Sequence, residues 1–75
     1  MQKLKKKKIH VYEDKNGFEY TIKATLDTTL YSVFYKNPHK EGWYKVLVAP
    51  LLHDLNELNK WFTNYAKRKN MKLIK

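Results

Sequence analysis

Three residues could do proton-transfer chemistry if the fold brought them together. His10, Glu19 and Lys23 are types that cleave phosphodiesters. An imidazole and a carboxylate can act as general acid and base, and an ammonium can hold the phosphate. Placed on one outer hairpin face, they would make a small ribonuclease-like toxin. No motif surrounds them, so a non-enzymatic module is the expectation. Other chemistries lack their parts. His10, His39 and His53 are scattered without ligand spacing, and the chain has no Cys, so neither a metal nor another cofactor is expected. Gly17 and Gly42 stand singly, with no phosphate-cradling loop. Ser32, the only serine, has no nucleophile elbow around it.

The remaining chemistry is that of charge. The 75 residues carry 16 Lys+Arg against 7 Asp+Glu, a formal net charge of +9. Ten of the cations lie in two short runs: Lys3, Lys5, Lys6, Lys7 and Lys8 at one end, Lys67, Arg68, Lys69, Lys72 and Lys75 at the other. The stretch between is close to neutral. Clustered lysines attract phosphate through counterion release and carry little sequence information. Fifteen Lys against one Arg argue against rich base reading, for which Arg is the usual side chain. The same runs would also serve as solvated, solubilising ends.

Those residues need elements to position them. Ile9–Tyr12 reads as a short strand and Asn16-Gly17 as a hairpin turn. From Phe18 to Leu26 the residues alternate, with Phe18, Tyr20, Ile22, Ala24 and Leu26 on one face. A two-residue loop sets Val11 opposite Ile22, a four-residue loop sets it opposite Tyr20, and both keep apolar opposite apolar. Leu30–Tyr35 and Trp43–Ala49 read as further strands, the last stopped by Pro50. Asp54 with Glu57 makes a capping-box variant, with Pro50 as the competing helix start. Leu51, Leu55, Leu58, Phe62 and Tyr65 then form an apolar stripe, and Asn70 suits the helix C-terminal stop. Met71–Lys75 could fray, extend the helix or return as an edge strand.

The expected fold is therefore α+β: an antiparallel sheet of three or four strands with one C-terminal amphipathic helix on one face. Residues 1–8 form a basic arm, 9–70 one domain and 71–75 a short basic tail. No apolar window is long enough to span a membrane, no secretory leader pattern is seen and cysteine is lacking, so a cytoplasmic protein is expected.

One helix covers one sheet face, expected to hold Ile9, Val11, Tyr20, Ile22, Val33, Val46 and Val48. The other face should be polar, yet Leu30, Phe34, Trp43 and Leu47 share its parity, and Tyr12 is an exception in the first hairpin. Either the sheet curls to bury both faces, or the patch meets a partner or stacks on bases. The leading functional expectation is a small nucleic-acid-binding module, with DNA ahead of RNA. Lys3, Lys5, Lys6, Lys7, Lys8, Lys67, Arg68, Lys69 and Lys72 would contact phosphates. The lysine-rich, cysteine-free composition suits an accessory or regulatory protein of a phage or mobile element. The alternative is a protein-binding inhibitor or adaptor that uses Tyr12, Phe34, Trp43 and Leu47 toward an acidic partner, or a homodimer. No membrane partner is expected.

Overall fold

A computed structural model describes residues 9–26 and 29–75, so the lysines of the N-terminal arm and Asp27-Thr28 lie outside the described residues. Among the described residues the order is β1 (Tyr12–Glu13), β2 (Glu19–Ala24), β3 (Tyr31–Lys36), β4 (Tyr44–Lys45), α1 (Leu55–Arg68) and β5 (Lys72–Leu73). The strands make one antiparallel sheet in the order β4-β3-β2-β1-β5, and α1 packs across β2 and β3. The fold is α+β, with the last residues supplying a fifth strand at the edge.

The alternation read in β2 sets the core. Ile22 pairs with Val33 at the sheet centre, and both are buried under Leu58 and Phe62 of α1. Burying one such side chain stabilises the fold by ~1.5–3 kcal/mol. Tyr12, Tyr20, Tyr31, Tyr35 and Tyr65 lean against this cluster.

The first hairpin takes neither expected register. Tyr12 stands opposite Tyr20 and Glu13 opposite Glu19. The loop has three residues, Lys15-Asn16-Gly17, closed by Asp14 N–H to Phe18 O at 3.0 Å and Gly17 N–H to Asp14 O at 3.1 Å. Gly17, at φ +89°, takes the left-handed position that such a loop requires. The Asp14 carboxylate accepts from the N–H groups of Asn16 (2.9 Å) and Phe18 (3.0 Å), which fixes the loop from inside. This one-residue difference turns β1 over. Tyr12 faces the helix, its ring edge-on to Phe62 at 5.1 Å. Val11 takes the opposite parity and Ile9 is exposed.

The fourth strand is also shorter than expected. Beyond β4, Val46 N–H still donates to Val33 O (2.9 Å), but the chain then leaves the sheet and returns as Leu52 opposite Tyr31. Continued pairing would have put Val48 there. Val46–Ala49 instead forms a tight turn (Ala49 N–H to Val46 O, 3.0 Å). The Lys45 ammonium donates to both Val46 O (3.0 Å) and Ala49 O (2.8 Å). Ser32, fully buried, donates its hydroxyl to Pro50 O at 3.0 Å and ties the excursion back to β3.

Helix α1 begins where the sequence places it. Asp54 is the N-cap, accepting from Asn56 N–H (2.8 Å) and Glu57 N–H (3.4 Å), and Pro50 lies outside the helix. At the other end Asn70 adopts φ 57°, its N–H donates to Lys67 O, and Met71 N–H donates to Ala66 O. This is a Schellman stop with Asn in the left-handed position. It sends the chain back as β5, where Leu73 pairs with Tyr12.

Asp54→Ala should cost about 1 kcal/mol and lower the thermal midpoint, followed by circular dichroism, by roughly 4–8 °C. Asn70→Gly should hold or raise that midpoint, whereas Asn70→Val, forced into a left-handed conformation, should lower it.

Candidate binding surfaces

The sheet has two faces with different chemistry. Strand parity places Glu13, Glu19, Thr21, Lys23, Ser32, Phe34, Lys36, Lys45 and Lys72 on the face away from α1. At the hairpin end a row crosses four strands, Lys36–Glu19–Glu13–Lys72, so each carboxylate has a lysine as a cross-strand neighbour. Toward the middle the face turns apolar. Trp43 and Phe34 line an open cleft of about 580 Å³ with Leu30 and Leu51, and the Lys23 ammonium sits 5.1 Å from the Trp43 ring centre. Phe34 and Trp43 are thus brought together as expected, and both remain partly exposed.

The other two proposed partner residues are elsewhere. Tyr12 belongs to the helix-side core. Leu47 is exposed, but on the Val46–Ala49 turn, where it lines a separate cleft on the helix side. The basic cluster divides as well. Lys72 lies on the uncovered face through its pairing with Glu13, while Lys67, Arg68 and Lys69 end the helix on the opposite layer. Arg68 and Lys69 stand 5.9 and 5.7 Å from the centre of the Tyr65 ring.

Sequence reasoning missed the helix-side cleft. It holds about 390 Å³ between the outer flank of α1 and β3, lined by Phe18, Tyr20, Tyr35, Tyr65 and the Val46–Val48 segment. The rings form a connected series: Phe18–Tyr35 at 6.0 Å, Tyr20–Tyr35 at 6.2 Å, Tyr20–Tyr65 at 6.4 Å, and Trp61 stacked on Tyr65 at 4.9 Å. That stack explains Trp61, which lies off the helix stripe. The one sequence signal for the cleft was the Leu47-Val48 pair just before Ala-Pro, and it reads equally as strand.

At the hairpin end of this cleft the Tyr20 hydroxyl donates to Asp14 Oδ2 at 3.1 Å. Burial pushes the Tyr20 phenol well above its ordinary value near 10. The Asp14 charge and hydrogen bond add to this, followed by Tyr65 and Tyr35. A phenol whose folded-state pKa is raised stabilises the fold fully below the unfolded value and loses that contribution as pH rises through and beyond it. Wild-type stability in urea should therefore fall as pH climbs above about 10. Tyr20→Phe should be less stable at neutral pH and lose less over the same alkaline interval. An equal alkaline loss in both proteins would contradict this assignment.

The proton-transfer set read from the sequence does not assemble. His10 lies 6.3 Å from the ring of Tyr12, which faces the helix, whereas Glu19 and Lys23 point to the opposite side. Among the described residues no three His, Asp or Glu side chains converge on a point, and no helix is long and apolar enough to cross a membrane. No family model, curated protein or solved structure matches the chain.

Proposed function

We propose that this chain is a small non-enzymatic nucleic-acid-binding module that lays its uncovered sheet face on the ligand. The observation that carries this reading is the composition of that face. Lys23, Lys36 and Lys72 share that face with Phe34 and Trp43; Glu19 and Glu13 stand between Lys36 and Lys72, Lys23 is set on Trp43, and the helix is on the far side. Lysines at the face would neutralise phosphates, and the lysine run at residues 3–8 would add to them. Phe34, on β3 at the middle of the face and partly exposed, is suited to apolar contact with a base, whereas its cross-strand neighbour Thr21 is buried with its hydroxyl donated to His10 O. Duplex DNA, with the densest row of phosphates for these lysines, is the first ligand. Lys45 is left out of the binding set because its ammonium is bound to the carbonyls of the Val46–Ala49 turn.

Fluorescence anisotropy with labelled duplex DNA, single-stranded DNA and RNA, at about 50 and 200 mM salt, tests the reading. The full chain should bind duplex DNA most tightly. Lys23→Gln/Lys36→Gln/Lys72→Gln should weaken binding and reduce the salt slope by about 0.9 for each phosphate no longer neutralised. Lys67→Gln/Arg68→Gln/Lys69→Gln, on the other layer, should change it far less. Deleting residues 1–8 should weaken binding and flatten the slope further. Absence of binding at the lower salt, or binding indifferent to the sheet-face substitutions, would overturn the reading.

A further inference from the structure

The Val46–Ala49 turn breaks the chemistry of turns. Corner positions usually hold Gly, Pro, Asn, Asp or Ser. Here they hold Leu47, 93% exposed, and Val48, 69% exposed. The exposure does not come from a loose loop. Val46 and Ala49 are buried on either side, the turn closes its own hydrogen bond, and Lys45 clamps both its carbonyls. A fixed frame thus holds two aliphatic side chains in water beside an aromatic cleft. Local rules broken without a gain in the folded chain itself point to a binding role.

We propose that the cleft between this turn and Tyr65 docks a segment of a partner protein that combines aliphatic or aromatic anchors with carboxylates. The apolar half comes from Leu47, Val48, Phe18 and Tyr35. The charged half comes from Arg68 and Lys69, which flank Tyr65, and from Lys15, which lines the adjoining hollow with Lys69 and Tyr65. Among the described residues no carboxylate lines the apolar part. Asp14 lines the same hollow as Lys15 and Lys69, where its carboxylate accepts from Asn16, Phe18 and Tyr20 and is outnumbered by the cations. Charge complementarity therefore selects an acidic segment. It disfavours a second copy, because two chains of formal charge +9 repel each other. The rings of Phe18, Tyr35 and Tyr65 could stack on bases, but the exposed Leu47 and Val48 give a phosphodiester strand nothing to bond, and they favour a peptide with apolar anchors. This surface lies on the other side of the sheet from the DNA-binding face proposed above and does not depend on it.

The test is selection from a random-peptide phage display library on the full-length chain, followed by titration of the enriched peptides. These should pair Asp or Glu with aliphatic or aromatic residues. They should bind Leu47→Ser/Val48→Ser, and separately Arg68→Gln/Lys69→Gln, about tenfold or more weaker, as when an anchor is removed. Lys23→Gln/Lys36→Gln should bind them unchanged. Both cleft variants alter exposed positions, and an unchanged thermal midpoint would establish that they fold. Three results would each overturn the proposal. One is failure to enrich acidic-apolar peptides, or equal binding to the cleft variants. Another is displacement of the peptide by single-stranded DNA on the wild-type chain, which would assign the cleft to nucleic acid. The third is a concentration-dependent dimer abolished by Leu47→Ser/Val48→Ser, which would assign it to a second copy.

Discussion

Width sets the terms for this fold. Five strands at about 4.8 Å spacing extend some 19 Å across, whereas a helix with its side chains is about 10–12 Å thick. Among the described residues one helix must protect that sheet, and α1 sits over β2 and β3. Everything at the margins is a response to the shortfall. On the β1 side Tyr12 swings in against Phe62. On the β3–β4 side the rings of Tyr20, Tyr35 and Tyr65 lean together but leave a gap. Tyrosine suits such a margin because its ring buries apolar area while its hydroxyl stays near water or a partner. Tyr20 and Asp14 illustrate this at the hairpin end.

The same shortfall gives the molecule two unlike surfaces. Among the described residues no helix lies on the far side of the sheet, which carries lysines, glutamates and a tryptophan under a cation. The near side has a partial cover and answers with an aromatic cleft. The cationic helix end belongs to the second surface, so the positive charge that reads as one cluster in the sequence serves two directions in space.

What was legible in the chain was local. The alternation of β2 gave its face, because period-two burial survives any choice of partner. The helix was bounded by Asp54 and Asn70, whose side chain and backbone conformation satisfy nearby amides without help from elsewhere. The hairpin register was not legible. Two- and four-residue loops both aligned apolar pairs, and the actual three-residue loop rests on Asp14 reaching two amides and on Tyr12 finding Phe62, far along the chain. The end of the fourth strand was hidden for a related reason. Val46-Leu47-Val48-Ala49 is a continuous apolar run, and such runs signify burial only where the backbone stays paired. Here the Lys45 ammonium, bonded to the Val46 and Ala49 carbonyls, fixes the backbone in a turn outside the ladder. Of the residues expected to form a partner patch, Phe34 and Trp43 came together because both depend on simple parity. Tyr12 and Leu47 did not, because each lies beyond one of these two breaks.

By loop-closure entropy the pairing of β1 with β5 is expected to be the last to form. β1 has only two residues in its ladder with β2, and its other side is completed by Leu73 and by Ile74 N–H to Val11 O at 2.8 Å. These partners stand near opposite ends of the described sequence, so their meeting closes the longest loop in the sheet and carries the largest entropic penalty. β2, β3 and α1 can condense through nearer neighbours first. The Schellman stop at Asn70 then aims the chain back toward β1, turning a long search into a short one. On this view the helix terminus acts during folding as a guide for the last strand.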